Sequence, residues 1–192
     1  MENTLTLFEY ISVAFSIVLS LGVASLLGSI RRIFSADRRY WIHYTWFLIV
    51  LFAHAVGWWS LWSFSNYESW SLPAFLLVLL QPGLLFLLAL LLVGDSPVST
   101  ESWREHFYSM RRWFFTVRAL YMAAVITASW LLLDISLTHP SRLFGVSHMI
   151  LSLLGIATAN ERVHGILAIV TAILTLGAAY FIFFEATRWG TA

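Results

Sequence analysis

The sequence predicts an all-α integral membrane protein, built as a bundle of six transmembrane helices. Of its 192 residues, 60% are hydrophobic and only 11% are charged, whereas soluble domains average roughly 25% charged residues. Apolar runs long enough to cross a bilayer, which takes about 20 residues, recur along the whole chain. We place these spans at residues 5–30, 40–62, 72–93, 113–133, 143–159 and 163–187, in a single transmembrane domain covering 1–192.

The first and fifth runs test the limits of this assignment. The first begins near Met1, has no basic residue before it and is too long for a signal-peptide core, so we expect it to be retained. The fifth, residues 143–159, is close to the lower limit of about 17 residues for a span. The chain has no cysteine, and it contains no Gly-x-Ser-x-Gly or phosphate-binding loop. We therefore expect no catalytic centre.

Basic residues are distributed unevenly between the two sides of the predicted bundle. Nine arginines fall in or beside the first, third and fifth connections: Arg31, Arg32, Arg38, Arg39, Arg104, Arg111, Arg112, Arg118 and Arg162. Only Arg142 and Arg188 fall on the other side. Because cytoplasmic loops carry an excess of basic residues, both termini are predicted to be non-cytoplasmic.

The residues before the fourth span have the pattern of an amphipathic helix. Ser102 and Glu105 have the spacing of a capping box. The apolar residues that follow recur at helical spacing and are Trp103, Phe107, Met110 and Phe114. We predict an interfacial helix whose arginines contact anionic lipids of the inner leaflet. Simple cytoplasmic flanking charge is the alternative explanation.

A row of small residues, each four positions from the next, runs along the first span and consists of Ser12, Ser16, Ser20, Ala24 and Gly28. Residues at this spacing form a ridge on a helix. Small residues let helices approach closely in a membrane. We predict a helix-packing ridge that contacts the sixth span, either in the same chain or in a second copy. A narrow polar track lined by the serines is the alternative.

Ionisable residues within spans are costly in a membrane and are candidates for function. The outer cluster consists of Glu9, His54, Asp134, His148 and Glu185. The inner cluster consists of His43, Arg118, Glu161, Arg162 and His164. An apolar middle separates them, so they either form two vestibules of a conduit or lie near helix ends in water. We expect Arg118 to extend toward the interface or to pair with Glu161.

Glu161 and His164 form a single Glu-x-x-His motif in the segment ATANERVHG, residues 157–165. Di-metal helix bundles need two such motifs on different helices. We therefore favour a capping function, in which Asn160 is the N-cap of the sixth span and Glu161 lies at its positive end.

The histidines also allow a cofactor hypothesis. Two pairs, His43 with His164 and His54 with His148, could each ligate a haem b iron and carry electrons across the membrane. A metal site formed by His54, His148, Glu9 and Glu185 is a weaker variant. Histidines in membrane helices are more often packing or interfacial residues, so we expect no cofactor.

Four segments, FEYISVAFSIVLSLG, YWIHYTW, RRWFF and NERVH, resemble an uncharacterised family of six-helix bacterial inner-membrane proteins of about 200 residues. The resemblance spans most of the chain and implies the bacterial inner membrane, but no activity or cofactor. We expect a channel, a transporter or the membrane subunit of a sensor, with the haem electron carrier as the alternative. The expected partners are lipids and a second copy of the chain, and not nucleic acid.

The predicted orientation can be tested with single cysteines, because the natural chain has none. Cysteines at Thr4, Ser65 and Thr191 should react with an impermeant thiol reagent in intact cells, whereas one at Ser35 should not, since it lies in an arginine-rich cytoplasmic connection. Reaction at Ser35 alone would reverse the orientation.

Overall fold

The computed structural model describes residues 6–34, 39–94, 102–139 and 141–189, with side chains up to Tyr180. Over these ranges it has six α-helices and no strand: α1 Leu7–Ile33, α2 Trp41–Ser60, α3 Leu72–Val93, α4 Trp103–Leu131, α5 Arg142–Ala157 and α6 Glu161–Trp189. Every helix except α5 is long and apolar enough to cross a membrane. The predicted all-helical architecture, with six helices in this order, is therefore confirmed.

Consecutive helices run in opposite directions. Arg32 at the end of α1 donates a 2.6 Å hydrogen bond to the carbonyl of Val93 at the end of α3. Arg104 and Glu161 pair the starts of α4 and α6 at 2.9 Å. The first, third and fifth connections therefore lie at one end of the bundle, called here the arginine-rich end.

The packing surface of α1 is a stripe of mostly large apolar residues: Ile11, Phe15, Leu19, Gly22, Leu26 and Ile33. This stripe faces α3 and α2. The row of small residues lies beside it, half-buried at Ser12 and Ser16 and exposed at Ser20, Ala24 and Gly28. The row does not form the contact with α6 that we predicted within one chain, because the larger side chains make the contacts of α1. A contact with a second copy stays a prediction.

The predicted interfacial helix does not exist as a separate element, because α4 is one continuous helix of 29 residues. The capping box between Ser102 and Glu105 is confirmed. The stripe that begins at Trp103 is buried against the bundle. Trp103 stacks on His43 of α2 at 4.7 Å, so protein rather than lipid covers this apolar face.

Two glycines bring α5 into close contact with α4. A Cβ at Gly155 would lie 2.7 Å from ring carbons of Phe115, and one at Gly145 would lie 3.0 Å from Ile126. Close approach through small residues is typical of helix contacts in membranes. Gly145 and Gly155 of α5 therefore allow a close helix contact that we had not predicted.

Arginines fix both ends of α5, which has only 16 residues. Arg111 of α4 donates to the carbonyls of Gly155, Ile156 and Thr158 at distances of 2.7 to 3.2 Å. Arg142 of α5 donates to the carbonyls of residues 126, 135 and 136 near the end of α4. Carbonyls at a helix end lack partners within the helix, so Arg111 supplies donors that the end of α5 needs, and Arg142 adds donors where α4 ends.

The close contact at Gly155 predicts a specific sensitivity to added volume. Gly155→Ala should lower the free energy of unfolding by about 1 to 3 kcal/mol, because Phe115 is fully buried and cannot move aside without cost. Gly28→Ala is the matched control, since a Cβ there meets nothing within 4 Å, and it should not lower Tm. Thermal unfolding in detergent measures both, and equal Tm values would contradict the packing described here.

Candidate functional site

The outer cluster does not assemble as a site. The Glu9 carboxylate accepts a hydrogen bond from the backbone N–H of Thr6 at 2.7 Å and so caps α1. Asp134 is exposed in the connection after α4 and has a positive φ of 53°. The side chain of Glu185 lies outside the described residues. Of the members whose side chains the structure describes, only His54 and His148 are buried.

The inner cluster is divided among separate contacts. Asn160 accepts hydrogen bonds from the backbone N–H groups of Arg162 and Val163, so its predicted capping function is confirmed. Arg162 itself is exposed. His164 hydrogen-bonds the carbonyl of Thr158 at 2.9 Å and stacks on a phenylalanine ring of α4. Within the described ranges, no three His, Asp or Glu side chains are placed to hold a metal ion.

Glu161 links α6 to α4 at the arginine-rich end of the bundle. It pairs with Arg104, and the Arg104 guanidinium lies 5.3 Å from the centre of the Tyr108 ring. Burial raises the pKa of the Tyr40 hydroxyl above its ordinary value, and its neighbours Tyr108 and Glu161 raise it further. The Arg104–Glu161 pair is about half exposed, and such pairs contribute about 0 to 1 kcal/mol. It therefore links α4 and α6 without dominating stability.

Arg118 lies at the centre of the bundle and is only 3% exposed. One amino group, Nη1, donates to the carbonyl of His148 at 2.8 Å and to the hydroxyl of Ser152. The guanidinium lies 5.2 Å from the ring centre of Trp46. The other amino group, Nη2, has no partner among the described residues, and none of their carboxylates lies within salt-bridge distance.

These contacts correct the prediction for Arg118. It neither pairs with Glu161, which binds Arg104 instead, nor extends toward water. It contacts His148, which we had assigned to the other cluster. The apolar middle expected between the two clusters is therefore interrupted by a buried cation.

His148 connects α5 to α6. Its Nδ1 lies 2.7 Å from the carbonyl of Phe144, and its Nε2 lies 3.1 Å from the hydroxyl of Thr175. A carbonyl only accepts hydrogen bonds, so Nδ1 carries the proton in the neutral ring and Nε2 is an acceptor. Both nitrogens of His148 are therefore engaged by protein atoms.

His54 is 1% exposed, and it lies under the backbone of α1. Its Nδ1 lies 2.7 Å from the carbonyl of Val50, whereas its Nε2 has no partner. A Cβ at Gly22 would lie 2.2 Å from Nε2. Glycine at this position therefore lets α1 pass directly over the imidazole.

The haem hypothesis gains no support from these surroundings. His43 stacks on Trp103 and meets His106 edge-on at 5.7 Å. His164 is enclosed by aromatic side chains of α4, while His54 and His148 are held against protein as described above. A macrocycle between either pair would have to displace these packed side chains. Glu9, a ligand in the metal variant, caps α1 in the structure.

A groove of about 1010 Å³ lies between α1, α2 and α6. α1 lines it with Ser16, Leu19, Ser20, Val23, Ala24 and Leu27, α2 lines it with residues between Thr45 and Trp58 that include His54, and α6 lines it with Ala172, Thr175 and Leu176. Two of the lining residues, Leu27 and Leu48, are about half exposed, so the groove opens to the surface of the bundle. Three residues of the small-residue row of α1, Ser16, Ser20 and Ala24, thus line this groove.

The groove lies beside the small residues that we identified on α1 from the sequence. The sequence analysis did not predict a groove at this place. Comparison of the chain with protein-family models, with curated proteins and with solved structures finds no match. The function is therefore argued from the groove and the buried polar residues beside it.

The isolated charge of Arg118 predicts an unusual mutational result. Arg118→Met should leave Tm unchanged or raise it, because burying a charge without a counter-ion is costly and Ser152 still donates to the carbonyl of His148. Arg142→Met should lower the free energy of unfolding by about 1 to 3 kcal/mol, since the part-buried carbonyl of Ile135 loses the donor that Arg142 supplies. Thermal unfolding in detergent compares the two. If Arg118→Met lowers Tm more than Arg142→Met does, the charge of Arg118 stabilises the fold and this prediction is wrong.

Proposed function

We propose that the protein is a multi-pass membrane protein that binds a lipid-like apolar molecule in the groove between α1, α2 and α6. In this proposal it acts as a carrier or sensor of that molecule and not as an aqueous pore. The observation that carries the proposal is the open groove, whose wall combines small and apolar side chains.

A membrane location is supported by the outer surface of the bundle. Large apolar side chains are exposed on the long helices, such as Ile17 at 58%, Leu76 at 53% and Ile173 at 64%. Exposed apolar surface of this extent is unsuited to water. The bacterial inner membrane, with both termini non-cytoplasmic, is the location we propose.

The dimensions of the groove suit an elongated small molecule. The stretch of α1 that lines it, from Ser16 to Leu27, covers about 17 Å at 1.5 Å per residue. The groove volume of about 1010 Å³ lies at the upper end of the range for small-molecule sites, which is roughly 300 to 1,000 Å³. A hydrocarbon chain is a guest of this shape.

The bundle interior offers no support for an ion channel. Trp46, Phe114 and Phe115 are fully buried and pack against one another between α2 and α4. Large aromatic side chains in contact with one another close the path that a conduit between the two polar clusters would need. The groove at the side of the bundle is a better candidate for ligand binding.

The proposal predicts saturable binding of a hydrocarbon in the groove. A photoactivatable dodecyl probe carrying a diazirine, reacted with protein in nanodiscs, should label residues 16–27, 45–58 and 172–176. Unlabelled dodecane should compete for this labelling. Positions on the outer surface, such as Leu153, should show weaker and non-saturable labelling, because they contact bulk lipid.

A variant that fills the groove provides the control. Ala24→Phe places a ring in the groove and should abolish saturable labelling, whereas Val13→Phe adds a ring to the exposed face of α1 outside the groove and should not. Uniform labelling of all exposed apolar positions, unaffected by Ala24→Phe, would overturn the proposal.

A further inference from the structure

We infer that the groove binds a single-chain amphiphile with an anionic headgroup, either a carboxylate or a phosphate, whose headgroup lies at Arg31 and whose hydrocarbon chain lies along the groove. This inference rests on the proposed function and specifies the class and the orientation of its ligand. It follows from the position of Arg31 on α1 and from the different charges at the two ends of the groove.

Arg31 lies on the face of α1 that lines the groove. Positions i, i+4 and i+7 of an α-helix share one face, so Leu27, Arg31 and Phe34 are aligned. Leu27 lines the groove, and Phe34 stacks on Tyr44 of α2 with 4.9 Å between ring centres. Arg31 lies between these two residues, about 6 Å beyond Leu27 along the helix axis. It is therefore placed where the groove meets the arginine-rich end.

The next arginine in the chain lies on a different side of α1. Arg32 is rotated by about 100° around the helix axis from Arg31, and it donates to the carbonyl of Val93 on α3. None of the residues that line the groove belongs to α3. Arg31 is exposed, and no carboxylate of the described residues forms a salt bridge with it. Within that part of the chain, no anion competes with a ligand for its guanidinium.

The two ends of the groove differ in charge. Arg31 lies at the same end of the bundle as the start of α2, whose first turn has no acidic residue and whose N-cap makes no side-chain hydrogen bond. The backbone N–H groups of that turn add partial positive charge. Near the opposite end, beyond Ser16, the charged residue of α1 is Glu9, a carboxylate. An anionic headgroup is thus favoured at the arginine-rich end.

Trp41 places this end of the groove at the level of the lipid headgroups. It lies one turn before Thr45, which lines the groove, and it is 49% exposed. A Cβ at Gly165 of α6 would lie 3.0 Å from the Trp41 ring, so the indole bridges α2 and α6. Tryptophans are enriched where a membrane meets water. A headgroup at Arg31 therefore stays at the interface while its chain enters the apolar groove.

The chemistry of arginine specifies the headgroup. A guanidinium is always charged, and its planar N–H groups match the oxygens of a carboxylate or a phosphate. Such charge-assisted hydrogen bonds are stronger than those between neutral groups. A cationic headgroup at the same position would be repelled.

Competition against the dodecyl diazirine probe, in nanodiscs of zwitterionic lipid, tests the charge preference. The competitors are dodecyl phosphate, dodecanoate, dodecyltrimethylammonium and dodecane. We expect at least one of the two anions to displace half of the probe at about one fifth of the mole fraction that dodecane requires, which corresponds to a well-formed exposed ion pair. The cation should require a higher mole fraction than either anion. A preference confined to dodecanoate assigns a carboxylate, and one confined to dodecyl phosphate assigns a phosphate.

Two methionine variants locate the preference. Arg31→Met removes the charge and keeps an apolar side chain, so the anions and dodecane should have the same midpoint. Arg112→Met removes an exposed arginine from α4, a helix that contributes no residue to the lining of the groove, and it should keep the fivefold difference. Displacement by dodecane in both variants reports whether the groove is intact.

The position of labelling tests the orientation. Dodecyl phosphate with a diazirine on its last carbon should label residues near Ser16 and Trp58, at the end of the groove away from Arg31. The same molecule with the diazirine beside the phosphate should label residues near Leu27 and Thr45.

The outcomes separate this inference from the proposed function. Equal midpoints for the anions and dodecane in the natural protein would overturn the inference while leaving hydrocarbon binding in place. An equal loss of the preference in Arg31→Met and Arg112→Met would attribute it to overall charge and overturn the inference, as would a reversed labelling pattern. If none of the competitors displaces the probe from the groove, the proposed function fails together with it.

Discussion

The structure depends on arginine side chains that donate to backbone carbonyls between α4 and α5. The buried residues of α5 include no large apolar side chain and are Arg142, His148, Ser152 and Gly155. Charge-assisted hydrogen bonds from Arg111 of α4 to α5, and from Arg142 of α5 to the end of α4, therefore hold this helix where an apolar stripe would normally do so. Because α5 positions His148 and His148 holds Thr175, the α6 wall of the groove depends on the same bonds.

The helices and several of their ends could be predicted from the sequence because their signals are local. Apolar runs mark the helices, and the capping residues Ser102 and Asn160 act within one turn of their helix. The environment of a helix face is not a local property. The aromatic stripe that begins at Trp103 has the same spacing whether lipid or protein covers it, and only the position of α2 decides between them.

The candidate site was harder to predict. Counting residues along a helix gives the depth of a side chain in the bundle, but it does not give the neighbouring helix that the side chain faces. Counting residues placed Arg118 and His148 at different depths, but the length of the arginine side chain brings it to the carbonyl of His148. The groove likewise depends on which helices are neighbours. α1 packs on α3 while α6 packs on α2 and α5, so the small residues of α1 and α6 face each other across a gap.

The shortness of α5 has a consequence for the surrounding lipid. Its 16 residues extend about 24 Å, whereas the hydrocarbon layer of a bilayer is about 30 Å thick. A short span is accommodated by local thinning of the bilayer. In the membrane that we propose, headgroups and water would reach deepest beside α5, which is the helix that contacts Arg118. Hydrophobic mismatch would thus lower the cost of keeping a cation at the centre of the bundle.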